Sequence, residues 1–158
     1  MHNIYFARHG ETVWNVENKI CGMTDSPLTE KGRQQARELG RKVRESGVRI
    51  DEILYSPLSR AADTAKAVAE ATGLPARCEP RLREQCFGRY EGTPRDGAEF
   101  RISKTHFADR YGDGESMMQL AQRASTICWT SCGRTRTRPI FSWPTMASPG
   151  WWNPISTT

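Results

Sequence analysis

Ile4-Tyr5-Phe6-Ala7-Arg8-His9-Gly10-Glu11-Thr12-Val13-Trp14-Asn15 is the stretch on which the reading of this chain turns. Four consecutive apolar residues predict a short buried strand. Its carboxyl end, where open α/β sheets bind ligands, delivers Arg8 and His9. Gly10 is expected to let backbone approach a ligand closely. The pairing reads as phosphate chemistry. A phosphomonoester repels anionic nucleophiles, whereas a neutral imidazole can attack phosphorus, which makes His9 the candidate nucleophile. A guanidinium offers paired N–H donors to the equatorial oxygens, so Arg8 fits as a clamp. Taken alone, Arg-His-Gly fits equally well a hydrogen-bonded histidine at a strand end.

Other segments carry the case further. Cys21-Gly22-Met23-Thr24-Asp25-Ser26-Pro27-Leu28-Thr29-Glu30-Lys31-Gly32 reads as a loop followed by a helix start. In Ser56-Pro57-Leu58-Ser59-Arg60-Ala61, followed by Thr64-Ala65, Ser59 is placed to cap a helix whose first turn holds Arg60. A phosphate would there meet a guanidinium and free helix N–H groups. Leu82-Arg83-Glu84, Phe87-Gly88-Arg89-Tyr90-Glu91-Gly92 and Gly114-Glu115-Ser116 complete the set. A carboxyl group held near an anionic phosphate has its pKa raised, which would suit Glu84 to general acid work. On its own, Glu84 reads equally as a solvated loop residue.

Together these blocks resemble the histidine phosphatase superfamily, also called phosphoglycerate-mutase-like, from Ile4 to about Arg123. The resemblance implies an α/β fold with a mostly parallel sheet flanked by helices. It also implies phosphomonoester hydrolysis through a phosphohistidine, without metal or organic cofactor. The roles it carries over are His9, Arg8, Arg60 and Glu84 as catalytic residues and Arg8, Asn15, Cys21, Gly22 and Arg60 as substrate-binding ones. Met23 departs from the family, which more often has an aromatic residue there. Glycolytic mutases of the family carry a His-Tyr pair soon after the acid and a longer insert; here Gln85-Cys86-Phe87-Gly88 follows Glu84. The phosphatase branch is therefore favoured. A phosphoglycerate mutase and a non-catalytic phosphate-binding remnant are the alternatives.

Spacing predicts a strand over 3–8 and a helix from about 30 to 46, with Ala36, Leu39 and Val43 on one stripe and Gly47 as its cap. A strand over 50–55, a helix over 58–72 ending at Gly73 and a short strand over 76–79 should follow. Residues 93–115 form a mixed insert, a candidate helical lid. The 158 residues suffice for one domain with a real core. No apolar run is long enough to span a membrane and no signal peptide is evident, so a cytoplasmic enzyme with a small phosphorylated substrate is expected. The +5 net charge is scattered among acids, which argues against a nucleic-acid partner. Cys21, Cys78, Cys86, Cys128 and Cys132 form no metal-ligand pattern; the spacing of the last two would make half a site without companions.

At residue 124 the composition changes. All 18 acids lie before it, whereas four of the five tryptophans and the evenly spaced Pro139, Pro144, Pro149 and Pro154 lie after it. The expected organisation is an incomplete histidine phosphatase domain over 1–123, its C-terminal strand and helices missing, and an irregular tail over 124–158. The genetic code supplies a reason. If each codon is rebuilt from the last base of one present codon and the first two of the next, several residues are forced. Cys128-Trp129 gives Leu, Trp129-Thr130 gives Asp, Trp143-Pro144 gives Ala and Met146-Ala147 gives Gly. A compatible text is Val-Tyr-Asn-Leu-Leu-Asp-Glu-Leu, then Tyr-Leu-Leu-Val-Ala-His-Asn-Gly-Ile-Ala-Arg-Val-Val-Glu-Ser. The second part is a buried strand ending in His-Asn-Gly, resembling the family's second active-site histidine. Residues 124–158 thus read as frameshifted, and neither His2 nor His106 is placed to replace that histidine.

Overall fold

The computed structural model describes residues 4–134 and 139–142, with side chains through Ile127. Strand β1, Tyr5–Ala7, leads through the one-turn helix α1, Val13–Val16, to helix α2, Glu30–Glu45. Thr29 opens α2 by accepting the Gly32 N–H at 3.0 Å, satisfying a donor that the first turn leaves unpaired. Ala36 and Val43 are buried along its inner stripe and Leu39 packs beside them. Its last cap is Ser46, and Gly47 just beyond adopts φ +65°, the left-handed exit that glycine tolerates. Strand β2, Glu52–Tyr55, is followed by helix α3, Ser59–Thr72, which ends on left-handed Gly73. Strand β3 is Ala76–Cys78.

The sheet is parallel throughout, in the order β1-β4-β2-β3, where β4 is Pro139–Ser142. Ile53 and Leu54 of β2 are 1% and 0% exposed. Ile53 joins Val43, Ile50, Ala65 and Val68 under α2 and α3, while Leu54 joins Leu82 and Ile127 on the opposite face. This is the two-sided burial that a parallel sheet requires.

The irregular tail is corrected in two places. Helix α5, Met117–Arg134, crosses residue 124 without a break, because residues 117–134 contain no proline to interrupt it. The slot expected to lack a strand is taken by β4, which pairs with both β1 and β2. Pro139 begins that strand, a position where a missing N–H is tolerated, and Ile140-Phe141 supplies β-forming residues. The remainder of the tail, with Pro144, Pro149, Pro154 and three of its tryptophans, lies outside the described residues.

The insert is stitched to the fold by aromatic packing. Phe87, Tyr90, Phe100 and Tyr111 are buried with Ile20, and the Phe87 ring meets those of Phe100 and Tyr111 edge-on at 5.3 and 5.5 Å. Its regular helix, α4, is only Ala98–Ser103.

Candidate active site

Residues 8–10 leave β1 at its carboxyl end, and the turn is clamped by backbone. A Cβ on Gly10 would collide with the Gly32 backbone, and one on Gly32 with the Glu11 carbonyl. Gly10 is thus required for contact with the start of α2. The Gly10 N–H also reaches the Thr64 hydroxyl at 3.4 Å; that hydroxyl donates to the Arg60 carbonyl one turn earlier in α3. The His9 turn and the Arg60 helix are therefore tied together.

Among the described residues His9 makes one side-chain hydrogen bond, 2.7 Å from Nδ1 to the carbonyl of its neighbour Gly10. A carbonyl can only accept, so Nδ1 carries the proton and Nε2 keeps a bare lone pair. Burial is the main cause that lowers the His9 pKa from 6.5 to about 4, and Arg60, Arg8 and Arg95 add to it, against the Gly10 hydrogen bond. The imidazole is neutral at physiological pH, the state a nucleophile needs.

Arg60 is 1% exposed at the start of α3. Nη2 donates to the Gly22 carbonyl at 2.7 Å and Nη1 to the Thr24 carbonyl at 3.1 Å, with the Asp25 carboxylate 3.7 Å from Nη1. Two of its five N–H groups are thereby used for aiming, and no hydrogen bond to a described residue engages the other three. The expected cap differs. Leu58 precedes the helix, and Asp25 covers its start by accepting the Ser59 N–H at 3.1 Å and the Ser59 hydroxyl at 3.0 Å. The anion position at the first N–H of this helix is therefore filled by the protein's own carboxylate.

Glu84 is 8% exposed, and burial pushes its pKa from 4.5 up to about 7 against the pull of the Gln85 N–H, Arg60, Arg8 and Arg123. Its Oε1 accepts the Gln85 N–H at 2.9 Å. Arg123 holds this segment in place by donating to the Arg81 and Arg83 carbonyls while pairing with Glu115. Cys21 shares the same electrostatic neighbourhood as Arg60, Arg95 and Glu84; burial raises its thiol pKa, and the thiol donates to the Thr24 carbonyl at 3.4 Å. Gly22 contributes its carbonyl to Arg60. Asn15 has its side-chain oxygen committed to the Thr12 N–H at 3.0 Å, closing the capping box of α1, so only its NH₂ faces outward chemistry. Arg8 is exposed, with no hydrogen bond or ion pair among the described residues.

Sequence reasoning missed Arg95. Anchored through Nε to the Lys19 carbonyl at 2.8 Å and half-buried beside Arg8, it adds a third guanidinium to the field at His9. An arginine in a loop between Pro94 and Gly97 gives no local signal of this; only folding places it. The other described histidine, His106, is exposed and paired with Asp109 at 3.2 Å, away from the cluster's partners. No group of three potential metal ligands occurs among the described residues, and no described helix is long and apolar enough to cross a membrane.

A probable phosphoglycerate mutase GpmB from Erwinia tasmaniensis is 41% identical over 130 residues, covering 78% of this chain and 60% of that protein. Its Yersinia pestis counterpart is 40% identical with the same coverage. The chain thus spans about 60% of the length of these relatives. Among solved structures, Bacillus stearothermophilus YhfR superposes with a TM-score of 0.76 at 34% identity, covering 92% of this chain and 74% of that one. A mycobacterial glucosyl-3-phosphoglycerate phosphatase in complex with VO3 superposes at 0.79 with 25% identity, covering 91% and 75%. The model of the histidine phosphatase superfamily (branch 1) matches residues 4–140, and the chain belongs to that superfamily.

Proposed function

We propose that the site performs phosphomonoester hydrolysis through a phosphohistidine. The observation that carries this reading is the inversion of two ionisations in one cluster: His9 is held neutral and Glu84 is held protonated near neutrality. Nε2 of His9 attacks phosphorus, the P–O ester bond breaks, and Glu84 delivers its proton to the departing alkoxide. Arg8 and Arg60 hold the equatorial oxygens as charge builds on them. Water then attacks the phosphohistidine, Glu84 takes its proton, and inorganic phosphate leaves. For the frame-restored protein the expected assay result is p-nitrophenyl phosphate hydrolysis that persists in a chelator, with a phosphohistidine trapped by acid-free quenching. Hydrolysis that stops in the chelator would refute the mechanism. Mutase activity is the second reading, supported by the names of the sequence relatives. The missing His-Tyr pair after Glu84 favours the hydrolase, and a small molecule with one phosphoester is the expected substrate in the cytoplasm.

We also infer that residues 124–158 are the product of a shifted reading frame, so that this chain works poorly or only binds phosphate. Strand register supports this. Ala7 pairs with Ser142, and His9 lies two residues past Ala7 just as the Pro144-Thr145 junction lies two past Ser142. That junction is where the shifted text has its histidine. Resequencing the gene around codon 123 tests the inference; an unchanged frame in an independent isolate would overturn it.

A further inference from the structure

Glu91 lies outside the groups assigned to the reaction, yet its carboxylate is the most heavily engaged acceptor near the site. Oε1 accepts the Met23 N–H at 2.9 Å and the Phe87 N–H at 3.0 Å. Oε2 accepts the Thr24 N–H at 2.6 Å and the Thr24 hydroxyl. No described lysine or arginine forms an ion pair with it, so its charge is met by these dipoles. The loop it grips is the one that aims Arg60. The peptide joining Gly22 to Met23 gives its N–H to Glu91 and its carbonyl to Arg60 Nη2. Thr24 likewise gives its N–H to Glu91 and its carbonyl to Nη1. The first link runs from carboxylate through a single peptide to guanidinium, so the two charges polarise that amide in the same sense and strengthen both of its bonds; the second runs through Thr24, whose N–H and carbonyl belong to adjacent peptides. The loop is tightly packed at Gly22, where a Cβ would strike the Gln85 carbonyl and the Glu91 carboxylate.

We propose that Glu91 is a positioning residue that sets the orientation of the Arg60 guanidinium through the 22–24 loop, and so sets phosphate affinity. The proposal rests on the phosphate-binding role of Arg60 given above. Through the Phe87 N–H it also links that clamp to the aromatic cluster that packs residues 93–115 against the fold.

The test is Glu91→Gln in this chain. An amide keeps one acceptor for Met23 and Phe87 but presents NH₂ to the Thr24 N–H, setting donor against donor. Titration with inorganic phosphate, followed by NMR, should give an affinity weakened about tenfold, as loss of one charge-assisted bond implies. Faster exchange of the Met23 and Thr24 amides and a shifted Arg60 Nε–H resonance should accompany it. In an Arg60→Lys background the same change should add little, because the orientation it protects is already lost. Equal penalties in both backgrounds would assign Glu91 a general structural role and overturn the proposal, as would wild-type phosphate affinity in the single variant. If the parent chain binds no phosphate, the phosphate-clamp reading fails separately; the Arg60 resonance and the two amides then decide, and their identity in parent and variant overturns the proposal. Should Glu91→Gln prove unstable, Thr24→Val, which removes only the hydroxyl donated to Oε2, gives the same readouts on a smaller scale.

Discussion

Replacing Glu84 by Gln should make the protein more stable relative to the parent as pH rises, even though it removes a site residue. The sign follows from linkage. Burial raises the folded-state pKa from 4.5 to about 7, so ionisation is resisted in the fold and easy in the unfolded chain. Stability from this group is full below the unfolded value and is lost between about pH 4.5 and 7. Moving the carboxyl from 4.5 to about 7, at ~1.4 kcal/mol for each tenfold change in ionisation, withholds about 3.5 kcal/mol from the parent well above pH 7. Glu84 is only 8% exposed, so solvent screening takes little from that figure. Glutamine keeps an oxygen for the Gln85 N–H and cannot ionise. Its own cost, a buried amide with new donors, is the same at every pH and cancels in the comparison. The opposite dependence of His9, whose lowered pKa removes stability as pH falls through 6.5 toward 4, is common to both proteins and cancels as well. Urea unfolding at about pH 4.5 and about pH 8.5 should show the difference between variant and parent moving by about 3 kcal/mol in the variant's favour. A difference that stays constant across that range would refute the buried, protonated assignment of Glu84.

His9→Ala should abolish turnover of phosphomonoesters by the frame-restored protein while leaving phosphate binding measurable, since Arg60 keeps its two carbonyl anchors; substantial remaining hydrolysis would remove His9 as nucleophile. Arg60→Lys should lower kcat/KM by about 100-fold, because an ammonium cannot satisfy two fixed carbonyls and an oxyanion together, whereas the exposed Arg44→Lys should change it little. Comparable kinetics for the two would place Arg60 outside the site. Amides of Ile140, Phe141 and Ser142 should exchange as slowly as those of β1 if the strand between β1 and β2 forms, and exchange at the free-chain rate would show that the slot is empty.

The fold was legible where local chemistry and tertiary need coincide. The stripe Ala36, Leu39, Val43 and the left-handed glycines 47 and 73 bound α2 and α3 to within a residue or two. The tail was less legible, since four prolines at even spacing argue against regular structure, and yet a proline at the first residue of a parallel strand costs the ladder nothing that the strand's start could supply. Both reading frames also place an apolar residue at the Ile140-Phe141 junction, because the T that begins the Phe141 codon becomes the middle base of the shifted one. Strand propensity therefore cannot distinguish them there.

The site divides along a different line. The candidate residues His9, Arg8, Arg60 and Glu84 can be named from motifs, because each sits in a block of sequence that stands out locally. The groups that hold them cannot, since Asp25, Glu91, Arg95 and Arg123 act across sequence separations that no local pattern encodes. Asp25 shows the consequence. Read along the chain it is a loop acid, and Ser59 looks like the cap of α3; in space the Asp25 carboxylate occupies the position that Ser59 was expected to hold and stands 3.7 Å from Arg60. A free helix N-terminus beside Arg60 would have drawn phosphate toward the start of α3. With Asp25 there, an incoming anion should be repelled from the helix start and directed toward the Arg60 N–H groups that no described residue engages, Arg8 and Nε2 of His9. Removing the carboxylate, as in Asp25→Asn, should therefore tighten inorganic phosphate binding while lowering turnover, because phosphate would gain a second resting position away from the imidazole. Weaker binding together with lower turnover would show instead that Asp25 serves only to fix α3, and the steering role would fail.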